Sequence, residues 1–386
     1  MPWARYRWWW PGAGGVGPAP VGQTGAMSPP TTVVPLTRGV GPEGPWARLG
    51  LAGQPPPDAV PPGCRIEVQG DGLTVTAGPP ALRALARALG AGGVRASLLR
   101  VAAAMEGPPR ALRLGSRSWR FGAHTYILGV VNVTPDSFSG DGVGDSVEEA
   151  LARGRQLVAE GADALDVGGE SSRPGHQPVP AEEELRRVRP AVAALAGELG
   201  VPVFVDTWKS EVAAAALEAG ASAVNDIWGL RRDRRMARVA AAAGAAVVCM
   251  HNQEGVRYAD LPRDLAASLQ ESVELAALAG IPPSQVVLDP GIGFGKTPAQ
   301  SLSALCLLPL LELLGFPLLV GTSRKSLVGW LLGDRPVEER LMGTAATVAW
   351  AAAAGAEIVR VHDVAEIRDV LRVVDRLRRG GAGAGA

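Results

Sequence analysis

Lysine and asparagine are nearly missing from this chain. Of 386 residues only Lys209, Lys296 and Lys325 are lysine, and only Asn132, Asn225 and Asn252 are asparagine, although lysine and arginine together number 38. Arginine and alanine dominate, so the few lysines and asparagines mark positions where their own chemistry is in use. Cysteine is equally scarce: Cys64, Cys249 and Cys306 form no CxxC pair. That excludes a disulfide framework or a cysteine-zinc site and leads us to expect a reduced, cytoplasmic protein. Neither sign of charge is in excess, with 38 basic against 38 acidic residues, so no nucleic-acid or anionic membrane surface is expected. No apolar run reaches the roughly 20 residues of a membrane span. Proline and glycine break the cationic N-terminus before a signal-peptide core can form. His-x-His and HExxH clusters are missing too, which argues against a metal hydrolase. The glycine-rich run 291–296 lacks phosphate-loop spacing: the residue that would have to be its first glycine is Pro290.

What is present divides the chain unevenly. Its 47% hydrophobic content is ample for a large core. Residues 1–62 are rich in Pro, Gly and Trp without periodicity, and are expected to be a disordered, low-complexity extension. Residues 63–111 predict a small α/β appendage, with strands 65–68 and 73–76 paired across Gln69-Gly70-Asp71-Gly72 and helices over 81–89 and 94–105. Residues 381–386 form a Gly/Ala tail. Between 112 and 380 the pattern is regular. A short hairpin, 112–114 with 118–121, precedes apolar strands at 127–132, 163–167, 202–206, 223–226, 246–250, 285–289, 317–321 and 357–361. The intervening segments have helical spacing. In 182–198, Leu185, Val188, Val192 and Leu195 share a face, Glu182 and Glu183 suit the N-terminal end, and Pro190 predicts a kink. Eight strand–helix units predict a (β/α)8 barrel, which gathers its functional residues at the C-terminal ends of the strands.

Those ends are abruptly polar. They carry Asn132; Asp166 to Glu170, followed by Ser171-Ser172-Arg173; Asp206 and Lys209; Asn225-Asp226; Met250-His251-Asn252; Asp289 to Lys296; Gly321-Thr322-Ser323-Arg324-Lys325; and Arg360, His362 and Asp363. Asp206, Asn225 and Asp289 suit a flat, nitrogen-rich heterocycle, because a carboxylate accepts two parallel bonds from adjacent N–H groups. Arg173, Lys325, Arg360 and His362 suit a phosphate or diphosphate. Asn132 offers a hard oxygen to a magnesium ion otherwise held by water and phosphate oxygens. A ring pocket beside an anion pocket suggests a heterocycle bearing a diphosphate leaving group. Taken singly, other readings stay open. Asp206 could cap a helix, Asn225-Asp226 could be a turn, Arg324 and Lys325 a solvated helix start, and His124 and His251 packing residues.

In order, the motifs NVTPDSFS (132–139), DVGGESSRPG (166–175), VDTWK (205–209), NDI (225–227), LDPGIGFGK (288–296), GTSRKS (321–326) and RVHDV (360–364) resemble dihydropteroate synthases over about residues 112–378. The resemblance implies a (β/α)8 barrel that joins 4-aminobenzoate to dihydropterin-methyl diphosphate, releasing diphosphate and forming dihydropteroate. It implies Asp206, Asn225, Asp289 and Lys325 as pterin-binding residues, with Met250 and Phe294 lining the pocket and Gly321 beside it. Arg360 and His362 would meet the diphosphate, Asn132 would hold Mg²⁺, and Ser172, Arg173 and Ser323 would lie near the aminobenzoate. Asp136, Arg173 and Lys325 are the expected catalytic set, and a homodimer is implied. Departures are small: Ser172 stands where many members have Thr, Trp208 follows the Asp-Thr pair, and Asn252 follows Met-His. A corrinoid-linked methyltransferase domain would share the acid pocket without needing Lys325, Arg360 and His362. A non-catalytic pterin-binding paralogue would be free to lose them.

Overall fold

The computed structural model describes residues 33–41, 44–52, 60–69, 72–89, 93–106, 111–134, 146–170 and 179–380. Asp136, Ser172 and Arg173 lie outside the described residues, as do the first 32 residues and the 381–386 tail.

The described chain opens with two strands where low complexity was expected. β1 (Val33–Gly41) and β2 (Gly44–Ala52) pair antiparallel. β2 also pairs with β4 (Gly72–Ala77), which pairs with β3 (Cys64–Gln69), giving the order β1-β2-β4-β3. Ala47, Leu49 and Leu51 alternate into the core, the period-2 pattern of a half-buried strand. Pro35 sits at the register shift in β1, where a residue without an N–H costs the ladder least. Abundant Pro and Gly hide this alternation in the sequence. Helices α1 (Pro79–Ala88) and α2 (Gly93–Glu106) cover one face through Leu82, Leu85 and Leu98. The predicted hairpin and both helices are therefore present, but as parts of a larger four-stranded module that starts by residue 33.

A hairpin, β5 (Ala111–Leu114) with β6 (Arg117–Arg120), leads into the barrel. The barrel alternates β7 (Tyr126–Asn132), α3 (Val147–Ala159), β8 (Ala164–Gly168), α4 (Ala181–Glu198), β9 (Val203–Asp206), α5 (Ser210–Glu218), β10 (Ala223–Asp226) and α6 (Met236–Ala243). It continues with β11 (Ala246–Met250), α7 (Leu261–Leu278), β12 (Val286–Asp289), α8 (Pro298–Cys306), α9 (Leu308–Leu311), β13 (Leu319–Val320), α10 (Ser326–Leu331), α11 (Leu341–Ala353), β14 (Ile358–Val361) and α12 (Val364–Arg378). All eight barrel strands are parallel in the order β12-β11-β10-β9-β8-β7-β14-β13. A single bridge, Leu288 to Leu318, joins the two ends, so the barrel is closed with one weak seam. Pro190 lies inside α4 with its ring exposed, and the helix runs on to Glu198.

Two hydrophobic clusters show which way each strand residue faces. Val131, Leu165, Val167, Val205, Val224, Cys249, Leu288, Val320 and Val361 pack outward against the helices. Leu128, Ala164, Phe204, Ala223, Val248, Val287, Leu319 and Ile358 fill the barrel interior with Trp119 and Phe121 of the hairpin region. Trp119 stacks on Tyr126 with centroids 4.2 Å apart and lies 6.2 Å from Phe204, so the N-terminal end of the barrel is floored by aromatic rings. Two residues further along, five of these strands turn polar at the inward position, with Asp166, Asp206, Asn225, Asp289 and Arg360.

The four-stranded module packs against the barrel beside the weak seam. Leu313, between α9 and β13, belongs to the module core, and Leu310 packs on it. Gln270 of α7 donates to Ser97 of α2 at 2.6 Å, and the Arg100 guanidinium lies 5.5 Å from the Phe316 ring centre.

Candidate active site

Side chains alternate across a strand, so the inward set that begins with Ala164, Phe204, Ala223, Val248, Val287, Leu319 and Ile358 continues with Asp166, Asp206, Asn225, Met250, Asp289, Gly321 and Arg360. Asn132 and His362 extend the same rows. Six strands thus deliver polar side chains to one rim, and the sequence-predicted residues within the described chain converge there.

Arg360 is at the centre. Its Nε donates to Asp166 Oδ2 at 2.5 Å and its Nη2 to Asp206 Oδ2 at 2.8 Å. Asp166 Oδ2 also accepts from Asn225 Nδ2 at 2.9 Å. Burial opposes the charge on Arg360, but Asp166 and Asp206 outweigh it and hold the guanidinium more firmly protonated than usual. Burial pushes the Asp206 carboxyl up to about 7, with Arg360 pulling against that shift and Asp166 adding to it. Cations and acids were expected on opposite sides; instead Arg360 lies between two acids. A guanidinium fork bridging two carboxylates compensates charges that would be costly to bury alone.

On the other flank, Asp289 Oδ1 accepts from the Gly291 N–H at 2.7 Å, and burial raises its pKa against the pull of Lys325. Lys325 Nζ donates to the Ile292 carbonyl at 2.8 Å and stands 4.6 Å from the Phe294 ring centre. Burial lowers Lys325 to about 8, with Asp289 opposing the shift. A Cβ on Gly321 would meet Lys325 Nζ at 3.6 Å and Arg360 Cβ at 3.7 Å, so the lysine head and the base of the arginine side chain both lie against this glycine. Ser323 Oγ and His362 Nδ1 are hydrogen-bonded at 2.9 Å, and the His362 N–H donates to the same hydroxyl at 3.2 Å.

The open alternatives resolve residue by residue. Asp206 bonds Arg360 and caps no helix, whereas Asp226, facing outward, accepts from the Trp228 and Leu230 N–H groups as a turn residue would. Arg324 turns away and grips Asp363 at 2.5 and 3.1 Å. His251 is a packing residue held by Lys296, whose Nζ lies 2.8 Å from Nδ1; burial drives this imidazole down to about 2 and Lys296 down to about 7. His124 packs on Tyr126 with ring centroids 4.3 Å apart. Trp208 lies beneath the Arg232 guanidinium at 4.8 Å. Two buried groups were not assigned from sequence. Asp166 carries an acid in a wholly buried strand, and only its parity with Ala164 points to it. Lys209 was noticed as rare, and it binds Glu170, Glu184 at 2.5 Å and the Val179 carbonyl at 2.7 Å.

Among the described residues Asn132 is the candidate ligand for the magnesium ion expected from the sequence. Asn132 faces inward at the end of β7, half buried, and its side chain makes no hydrogen bond to another described residue. Among the described residues no group of three His, Cys, Asp or Glu could hold a metal. A single oxygen donor fits an ion that keeps most of its water and phosphate ligands.

An acid-lined ring pocket on the C-terminal rim of a parallel barrel is the layout of a pterin-binding enzyme, and the sequence model for pterin binding enzymes matches residues 128–362. Over 269 residues the chain is 43% identical to a dihydropteroate synthase of Clostridium beijerinckii, covering 69% of this chain and 100% of that one. Its fold is similar to the Xanthomonas albilineans dihydropteroate synthase solved with 4-aminobenzoic acid (TM-score 0.66, 40% identity, 72% of this chain and 100% of that one). It is also similar to the Burkholderia cenocepacia enzyme complexed with 7,8-dihydropteroate (TM-score 0.65, 36% identity, 71% and 98%). The chain belongs to the dihydropteroate synthase family. The four-stranded module lies outside the matched family region.

Proposed function

We infer that this chain is a transferase that condenses 4-aminobenzoate with (7,8-dihydropterin-6-yl)methyl diphosphate, giving 7,8-dihydropteroate and diphosphate for folate synthesis. The observation that carries this reading is the Asp206–Arg360–Asp166 bridge beside Asp289 and Lys325: acceptors for a ring and cations for its leaving group share one rim.

The ring's N–H donors go to Asp206 and Asp289, with Asn225, Met250 and Phe294 shaping the pocket. The bond between the exocyclic methylene and the diphosphate oxygen breaks, its electron pair leaving with diphosphate. Arg360, His362 and Arg173 receive the growing negative charge. The amine nitrogen of 4-aminobenzoate, positioned by Ser172 and Ser323, forms the new bond to the methylene and then loses a proton to solvent. Asp136 stabilises the cationic methylene or the incoming amine. Asn132 would hold magnesium, which when bound supplies positive charge to the leaving diphosphate.

A homodimer is supported by an apolar face on neighbouring helices, where Met342, Trp350, Val373 and Leu377 are 78%, 47%, 61% and 74% exposed. Free Cys64, Cys249 and Cys306 support a cytoplasmic setting. Among the described residues no helix is long and apolar enough to cross a membrane.

The test is diphosphate release. Purified protein should release diphosphate only when 4-aminobenzoate and the pterin diphosphate are both present, with dihydropteroate formed in equal amount. Release without 4-aminobenzoate, or none with both, defeats the reading.

A further inference from the structure

Asp166 is a buried acid at the rim to which this mechanism gives no role. It is 0% exposed, covered by its neighbours at the rim. Yet its Oδ2 accepts from Arg360 Nε at 2.5 Å and from Asn225 Nδ2 at 2.9 Å. One oxygen atom therefore restrains both a residue assigned to the diphosphate and a residue assigned to the ring. We propose that Asp166 is a positioning residue for the transfer, locking Arg360 and Asn225 in a fixed relation so that the ring and the leaving group are held in one register. The proposal deepens the reading above and rests on it.

Three features separate this role from ordinary core packing. First, Arg360 is on β14 and Asp166 on β8, with β7 between them, so their bond spans the barrel interior above Leu128 and Val130. Neighbouring backbone does not enforce that reach; the charge pair does. Second, Arg360 is shared unequally. Nε goes to Asp166, which is wholly buried, and Nη2 to Asp206, which is 8% exposed at the rim, so a ligand meets the Asp206 bond first and the Asp166 bond anchors Nε. Third, a carboxylate only accepts, so it dictates which end of the Asn225 amide faces it. Nδ2 points at Asp166, and Oδ1, which has no partner among the described residues, remains the acceptor. An amide at position 166 can place its oxygen where Oδ2 lies and still accept from both, but it loses the charge that pairs with Arg360.

The charge on Asp166 also acts on Asp206. The charged groups facing Asp206 are Arg360 from β14, Asp166 from β8, Glu184 from α4 and Lys325 from the segment after β13; Asp166 and Glu184 oppose its ionisation, and the two cations favour it.

The experiment compares full-length wild type with Asp166→Asn, by steady-state kinetics across pH and by pterin binding followed through its fluorescence. Asp166→Asn is expected to lower kcat/KM for the pterin diphosphate by roughly 10- to 100-fold, the range of one or two charge-assisted hydrogen bonds. The KM for 4-aminobenzoate should stay within about 2-fold, a change too small to signal a lost contact. The acid limb of the pterin-diphosphate profile should move to lower pH, because the charge opposing Asp206 is gone and Arg360 is left to it alone. Wild-type kcat/KM overturns the proposal, as does an equal loss toward both substrates with an unmoved acid limb, the mark of a structural role. Asp166→Glu, which keeps the charge but displaces the oxygens by one methylene, covers a folding failure of the amide variant: a reduced kcat with the acid limb in place supports the proposal, and wild-type kinetics overturns it. If wild type releases no diphosphate, the enzymatic reading fails by itself, and the fluorescence comparison still decides whether Asp166 orders the pterin pocket.

Discussion

At the scale of single residues, Asp206 sets the working pH. Its carboxyl titrates at about 7 and must be ionised to accept the ring's donors, whereas Lys325 titrates at about 8 and must stay charged beside the leaving group. The expected profile of kcat/KM for the pterin diphosphate is therefore bell-shaped, with an acid limb from Asp206 and a basic limb from Lys325. Asp206→Asn should abolish the acid limb and lower kcat/KM by about 100-fold or more, as expected for loss of a buried charged acceptor. A pH-rate series on both proteins checks this. Asp206 also links stability to pH. Its folded pKa lies above the ordinary carboxylate value of 3.8, so the folded state holds a proton that the unfolded chain releases. The stability this group contributes is complete below the ordinary value and is lost as pH rises through about 7. The denaturant midpoint of wild type relative to Asp206→Asn should therefore fall as pH rises from acid to neutrality, whatever constant offset the lost Arg360 contact adds. Asp206, Asn225, Asp289, Arg360 and His362 were legible in the sequence because a polar residue at the end of an apolar strand is conspicuous. Asp166 was not, since its significance lies in reaching across β7, a relation that no spacing encodes.

At the scale of elements, the turn after β12 is a small machine for holding Phe294 and Asp289. Lys296 Nζ is fixed by the Gly291 carbonyl at 3.0 Å, the Phe294 carbonyl at 3.1 Å and His251 at 2.8 Å. Lys296→Met strips these acceptors of their donor. It should cost about 2–3 kcal/mol of stability, the scale of hydrogen bonds from a charged group, and weaken pterin binding by loosening Phe294. Thermal melts and fluorescence titration measure the two effects. Gly291 has φ +68, and a Cβ there would collide with the His251 carbonyl. Gly291→Ala should therefore destabilise by about 2–4 kcal/mol, more than the strain of the backbone alone, readable as a lower denaturant midpoint. The strands themselves were legible almost to the residue, from their apolar runs and polar ends. Lys209 and Lys296 stood out by rarity, but their partners come from other connections, so their roles emerge only once the barrel is closed.

At the scale of the whole molecule, the four-stranded module braces the barrel where its hydrogen bonding is poorest. Leu288–Leu318 is the lone bridge across the seam, and the module covers Leu310 and Leu313 nearby. Removing residues 1–110 should lower the melting temperature by several degrees, because burying each such leucine contributes about 1.5–3 kcal/mol. Pterin affinity should stay unchanged, since the site lies at the opposite strand ends. Calorimetry with a binding titration checks both. The module's first two strands were hidden in the sequence by Pro and Gly, which are costly in a central strand but tolerated where β1 bulges.

The aromatic floor formed by Trp119, Tyr126 and Phe204 has a kinetic corollary. It makes the barrel a blind-ended cup, so reactants and products must use a single doorway. Diphosphate has to depart through the same end of the barrel by which the amine arrives.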